Sequence, residues 1–162
     1  ADLIVGTFSK SLASIGGFIA SSESVIHYLC HHSRPLIFTA SLPPANTAGV
    51  LAALEVLQEE PERREQLWAN TRRLASGFRA LGFDIGPTET PIIPVLIGPL
   101  EKTLLFWRML FDAGVFTNPV TAPAVPITEC RLRTSLMATH TFDQIDQSLE
   151  AFGRIGRELG VI

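Results

Sequence analysis

The sequence predicts an α/β fold, and three observations predict it. Short apolar runs sit beside glycine, stretches of helical period lie between them, and a second round of strand and helix signals begins after Gly86-Pro87. With 46% hydrophobic and 18% charged residues among 162, the chain has enough apolar side chains for a sizeable core.

Each element has its own signal. Asp2 to Val5 and Gly17 to Ala20 are short apolar runs that read as buried strands. Between Glu23 and His31, Val25, Ile26 and Leu29 recur at helical spacing behind Ser22, an expected N-cap. A helix starts at Pro43 or Pro44, where the missing N–H costs nothing, and stops before Pro61. From Glu62 to Leu81, a helix places Leu67, Thr71, Leu74, Phe78 and Leu81 on one face, and Gly82 ends it. "PIIPVLIG", 91–98, is a strand whose internal Pro94 belongs at an edge. "KTLLFWRMLFDAG" is a helix closed by Gly114, "VFTN" (115–118) a short strand, and "CRLRTSL" (130–136) an alternating strand with Arg131 and Arg133 on one face. Thr141 and Gln144 form a capping box for the last helix, whose apolar side carries Phe142, Ile145, Leu149, Phe152 and Leu159. The change of character places a domain boundary between residues 81 and 82, with a smaller α/β domain over 82–162.

A net charge of −3 without a basic run argues against nucleic acid or an anionic membrane surface as the main partner. Cys30 and Cys130 form no disulfide framework and fit a reducing cytoplasm. No apolar run reaches the roughly 18 residues of a membrane span, and no signal peptide is evident. The chain opens inside an apolar strand without a methionine, so it reads as a piece of something longer.

Lys10 is the conspicuous residue. It lies between two strands among Thr7, Ser9 and Ser11 and is followed by Gly16-Gly17, a setting an ordinary surface lysine does not need. Those surroundings suit an aldehyde cofactor that carries a phosphate. The amine reaches the carbonyl as a Schiff base, and burial beside cations makes it nucleophilic. Hydroxyls and backbone N–H groups hold the phosphate, and glycines admit a flat ring or a neighbouring subunit.

Three motifs, "GTFSKSLASIGGFIA", "IFTASLPP" and "CRLRTSLMATHT", together resemble the α-oxoamine synthase family of pyridoxal-phosphate enzymes, in the family's order and spacing. The resemblance runs the length of the chain but covers only the family's C-terminal portion. It implies the end of the large-domain sheet of a fold-type I transferase, with linking helices, over 1–81, and the small C-terminal domain over 82–162. It implies pyridoxal 5'-phosphate as cofactor, with Lys10 as its Schiff-base lysine and Thr7 as a hydroxyl that binds its phosphate. Thr39 falls where the family supplies a phosphate contact from the other subunit of a homodimer, although Ala40 replaces a second hydroxyl. Arg133 falls where relatives bind the amino-acid carboxylate. A further arginine of some members would fall near Thr121 and is absent. The implied reaction condenses an amino acid with an acyl-CoA, usually with loss of carbon dioxide. The serine palmitoyltransferase type comes first, the 8-amino-7-oxononanoate synthase type second, and a non-catalytic homologue or fragment third. The family's aspartate for the pyridine nitrogen and its ring-stacking histidine lie upstream of Ala1, so this chain alone is expected to be an incomplete enzyme.

Other conspicuous residues have plainer readings. "HYLCHH" puts His27 and His31 four apart near Cys30, yet no further ligand completes a metal site, and a polar helix end explains it. Arg131 reads as a solvated or salt-bridged residue, His140 as a capping or packing residue, and Trp68 and Trp107 as core.

Overall fold

The computed structural model describes residues 1–162, which divide into two compact units, Ala1–Pro61 and Glu62–Ile162. In the first, β1 (Leu3–Thr7) and β2 (Gly17–Ser21) form an antiparallel hairpin with Leu3 opposite Ser21 and Thr7 opposite Gly17. Three helices follow, α1 (Glu23–His32), α2 (Arg34–Ile37) and α3 (Pro44–Glu59).

The two strands lie where the apolar runs place them, and within residues 1–162 their side chains are uncovered. Leu3, Ile4, Val5, Phe18 and Ile19 are all exposed, because two strands alone have no neighbouring layer to cover either face. Val50 in α3 is the one buried apolar side chain of this unit. Ser22 does precede α1, yet its hydroxyl meets Ser24 Oγ at 3.2 Å instead of capping the helix backbone. The four-residue α2, with Pro35 in its first turn, has too short a period to register in the sequence.

The second unit is a three-stranded antiparallel sheet of order β3-β5-β4 with helices over one face. Its elements are α4 (Pro61–Leu81), β3 (Ile92–Gly98), α5 (Leu100–Asp112), β4 (Asn118–Val120), β5 (Cys130–Ser135) and α6 (Phe142–Glu158). Pro94 sits on an edge strand, where its missing N–H leaves no gap in a central ladder. Alternation along β5 buries Cys130, Leu132 and Thr134 and turns Arg131 and Arg133 to the other face.

The core is built around Phe78, Phe83, Phe106 and Phe152. Phe78 and Phe152 meet edge to face at 4.8 Å between centroids, and Phe83 meets Phe106 at 6.2 Å. Such pairs add roughly 0.5–1.5 kcal/mol each beyond the area they bury. Leu74 and Phe78 tie α4 into this cluster, so compaction falls at the start of α4, where the sequence boundary had been placed at its end. Trp68 is 40% exposed and not core, lying one residue off the buried face of α4. Trp107 packs against the core and donates Nε1–H to the Thr117 carbonyl at 3.0 Å.

Helix ends follow the residues expected to set them. At Gly82, with φ of +96°, Phe83 N–H reaches back to Phe78 O at 3.0 Å and Gly82 N–H to Arg79 O at 3.1 Å, the paired bonds of a Schellman close. Gly114 closes α5 in the same way, and Val115 N–H bonds Leu110 O at 2.8 Å. That bond takes Val115 out of any ladder, which is why β4 begins at Asn118 and not at Val115. Thr141 Oγ1 accepts from Gln144 N–H at 3.2 Å while Gln144 Oε1 accepts from Thr141 N–H at 3.0 Å, completing the capping box of α6.

Candidate functional site

The turn between β1 and β2 gives Lys10 its position. Phe8 N–H bonds Gly16 O and Ser14 N–H bonds Phe8 O, each at 2.9 Å, so the ladder continues into the loop. A tighter turn follows, with Ala13 N–H donating to the Lys10 carbonyl at 3.0 Å. Ala13 has φ of +50°, a left-handed conformation that a residue with a side chain adopts at a cost of roughly 1–2 kcal/mol. Strain of that kind is held only where surrounding structure fixes it. Here the fixing groups are the ladder bonds and a link from Ser14 to α3: Ser14 Oγ donates to the Asn46 carbonyl, and Asn46 Nδ2 donates to Ser14 Oγ, both at 3.3 Å.

Glycine is required at position 17, at the neck of this hairpin, while at position 6 it makes room for the Phe18 ring. A Cβ on Gly17 would lie 2.4 Å from the Gly6 carbonyl oxygen, and one on Gly6 would lie 2.2 Å from the Phe18 ring. The close approach at this neck is between the two strands. Phe8 and Phe18 stack across the hairpin with centroids 5.9 Å apart.

The donor set at the turn is mostly hydroxyl. Thr7 Oγ1 and Ser9 Oγ are 2.9 Å apart, Ser9 N–H donates to Thr7 Oγ1 at 3.3 Å, and Thr7 Oγ1 lies 3.4 Å from the Gly16 carbonyl it donates to. Lys10 is exposed, so the burial expected around it is not supplied by residues 1–162. The turn thus offers an unencumbered primary amine three residues from a threonine hydroxyl, on a backbone with little freedom.

Thr39 belongs to the same unit, on the exposed segment after α2. Its hydroxyl donates to the Pro35 carbonyl and its neighbour Phe38 is 81% exposed. To serve as a phosphate donor, that hydroxyl has to exchange Pro35 for the anion.

Arg133 lies in the second unit, on the sheet face opposite the core, paired in register with Pro94 and Asn118. It lines a cavity of about 580 Å³ with Arg131, Glu129, Asp84, Thr88 and Pro94. Arg131 is held by Glu129, through Nε to the carbonyl at 3.0 Å and Nη2 to Oε2 at 3.2 Å. Arg133 has no such partner and is exposed, which leaves its planar fork of donors free for an anion.

The remaining residues fall as their chemistry suggests. His31 Nδ1 is 2.8 Å from the His27 carbonyl and His32 Nδ1 is 3.0 Å from that of Tyr28, so the histidines of α1 are engaged by their own helix. No group of three histidine, cysteine or acidic side chains is placed to hold a metal ion. His140 Nδ1 accepts from Met137 N–H at 3.2 Å, a packing role within its loop. Both cysteines are free thiols, and no helix is long and apolar enough to cross a membrane.

Two structural anchors have no counterpart in the sequence reading. One is the Ser14–Asn46 link. The other is Asn70, fully buried in α4, which donates to the carbonyls of Met137 at 3.0 Å and His140 at 2.8 Å and accepts from Gln66 Nε2 at 2.9 Å. Only the polar residue next to the apolar face of α4 hinted at it.

Comparison with known proteins completes the description. The family model for aminotransferase class I and II matches residues 1–152. A serine palmitoyltransferase of Sphingobacterium spiritivorum is 52% identical over 157 residues, covering 97% of this chain and 39% of that protein. An 8-amino-7-oxononanoate synthase of Symbiobacterium thermophilum is 42% identical over 158 residues, covering 98% of this chain and 40% of that protein. Among solved structures, a high-resolution structure of SPT with PLP internal aldimine superposes with a TM-score of 0.91 at 40% identity, covering 99% of this chain and 41% of that one. The chain spans about two fifths of the length of the curated relatives it matches.

Proposed function

Because the chain belongs to the aminotransferase class I and II family, we propose that the complete protein is a pyridoxal-phosphate-dependent acyltransferase of the α-oxoamine synthase type. It condenses an amino acid with an acyl-CoA, in the manner of the serine palmitoyltransferase that matches this chain at 52% identity. The 8-amino-7-oxononanoate synthases, at 42% identity for the Symbiobacterium protein, are the second reading. We place the enzyme in the cytoplasm as a homodimer.

The observation that carries the proposal is the turn itself, where the exposed Lys10 amine stands beside the Thr7 and Ser9 hydroxyls on a strained, glycine-necked hairpin. These residues fit pyridoxal phosphate: an amine for its aldehyde, and hydroxyls and turn N–H groups for its phosphate. Bound there, the cofactor supplies an electron sink for the pair left at the amino acid's Cα. The Lys10 amine would be the base that takes the Cα proton. Thr7 orients the phosphate within a subunit, and Thr39 contributes from the other. Arg133 pairs its guanidinium with the amino-acid carboxylate and so fixes which face of the substrate is presented.

The test uses the complete protein. Wild type should show a visible absorbance band with pyridoxal phosphate, and Lys10→Ala should lose it while the cofactor-free forms of the two melt at the same temperature. Survival of the band in that variant would overturn the assignment. Arg133→Lys should weaken amino-acid binding by about 1.5–3 kcal/mol, the order of a charge-assisted hydrogen bond, and leave the acyl-CoA constant nearly unchanged. Equal losses for both substrates would return Arg133 to a structural role.

A further inference from the structure

We infer that α1 carries an open, two-nitrogen site for a divalent transition ion of the Ni²⁺ and Cu²⁺ kind, built from His27 and His31. The two residues stand four apart on one helix, so their side chains leave it on the same face. Both are exposed, and their rings lie 4.3 Å apart between centroids at an interplanar angle of 31°. Two metal–nitrogen bonds of about 2 Å each bridge nitrogens up to about 4 Å apart. Exposed side chains make the small rotamer adjustment this needs within nanoseconds.

The hydrogen bond that His31 makes to its own helix prepares it for this role. Its Nδ1 lies 2.8 Å from the His27 carbonyl oxygen, which only accepts, so Nδ1 carries the proton of the neutral ring and Nε2 keeps its lone pair. Metal-binding histidines have this arrangement: the other ring nitrogen donates to a carbonyl or carboxylate that fixes tautomer and orientation. The exposed His27 ring beside it supplies the second nitrogen. His32 has the same tautomer through the Tyr28 carbonyl at 3.0 Å, but its ring stacks on Tyr28 at 4.1 Å and it lies about 100° around the helix from His31.

The donor set selects the ion. No third histidine, cysteine or acidic side chain is placed with the pair, so the three or four protein ligands of a zinc site are missing, and the exposed Cys30 thiol does not complete one. Calcium and magnesium want oxygen ligands that the pair does not supply. Tetragonal ions accept two imidazoles side by side and fill their remaining positions with water, and the affinity order of first-row ions puts Cu²⁺ above Ni²⁺ at such a site. The sequence reading sought a closed site in this motif, whereas the pair needs no further protein ligand.

The test titrates the complete protein, cofactor-free and without a purification tag, with nickel chloride in a calorimeter. His27→Ala and His31→Ala should each weaken Ni²⁺ binding by on the order of a hundredfold, because the second imidazole of a chelate acts at high effective concentration. His32→Ala and Cys30→Ser should leave it unchanged. Glu23→His added to His31→Ala rebuilds the pair one turn earlier on the same face, with His27, and should recover most of the affinity. Free Ni²⁺ at about one hundred times its Kd should slow amide exchange within α1 about a hundredfold, since the pair exists only while the helix is folded. An adventitious ion only, seen as Ni²⁺ binding that neither histidine substitution changes, overturns the inference. So does loss of binding in Cys30→Ser or His32→Ala, failure of Glu23→His to restore it, or exchange in α1 that Ni²⁺ leaves unaltered. None of these readouts depends on cofactor or on turnover, so failure here is separate from failure of the proposed enzymatic function.

Discussion

The two units organise their apolar residues in opposite ways. Residues 62–162 bury a phenylalanine cluster, Ile93, Val95 and Ile97 of β3 and one side of α6, whereas residues 1–61 bury only Val50 among their apolar residues and leave Leu3, Ile4, Val5, Phe18, Ile19 and Phe38 exposed. The difference follows from what residues 1–162 include: the second unit has a three-stranded sheet with its covering helices, and the first has two strands without a neighbouring layer. The second unit is held by packing, which is non-directional and shared among many residues. In the first, directional bonds are prominent: a hairpin ladder, a turn, and side-chain links at Ser21–Asp2, Thr7–Gly16 and Ser14–Asn46. Lys10, Thr7 and Thr39 all lie in the unit with little packing of its own, and Arg133 lies on the uncovered face of the packed one.

The sharpest way to break this comparison is to truncate one apolar side chain in each unit of the 1–162 chain. Phe152→Ala should cost about 3–5 kcal/mol in urea unfolding, because it removes a core ring and leaves a cavity. Ile19→Ala, at a site 47% exposed, should cost under about 1 kcal/mol. Equal costs would mean that the exposed strands are packed after all. Next comes Asn70→Ala, which strips donors from two carbonyls and should cost about 2–3 kcal/mol, with faster amide exchange confined to residues 137–141. A uniform rise in exchange would show that Asn70 supports the whole unit and not one loop. Thr141→Ala should remove the capping box of α6 for about 1 kcal/mol, read from the melting temperature.

The smallest effect concerns Asp146, whose carboxyl is held below the ordinary aspartate value of 3.8 by the hydrogen bond and charge of Arg73 at 2.6 Å. A lowered folded-state pKa means that the contribution is present well above that value and is lost as the pH falls through it. Both side chains are nearly half exposed, so solvent screens most of the interaction. Asp146→Asn should therefore melt slightly lower than wild type at pH 7, with the gap closing below about pH 4.

Helices and their stops were legible in the sequence because their signals are local. α4 ends at Gly82 and α6 starts at Thr141 through bonds that span at most five residues, and the glycine or capping pair that makes them stands in the sequence. β4 was misplaced because its start depends on a competing bond from Val115 to the end of α5. The strands of the hairpin are legible as apolar runs, which record what a strand is able to cover and not whether the neighbour lies within residues 1–162. Of the candidate site, Lys10 and Thr7 stand together in a compact motif on one turn, and the alternation of Arg131 and Arg133 follows the period of β5. Asn46 and Asn70 were not, because each acts on residues 32 or more positions away, a distance over which a single sequence carries no pattern.

The glycines at the hairpin neck have a consequence for how such sequences drift. Every missense codon change at either position adds a Cβ, yet the two obstacles differ in kind. At Gly17 the obstacle is a backbone oxygen at 2.4 Å, which no change of side chain elsewhere removes. At Gly6 it is the ring of Phe18, which another substitution does remove. Gly17 therefore has no neutral neighbours in sequence space, while Gly6 acquires them once position 18 has become smaller. The order of the two events matters: Phe18 first leaves an open path, and Gly6 first meets the clash. Drift around Lys10 is thus conditional on history on one side of the neck and closed on the other.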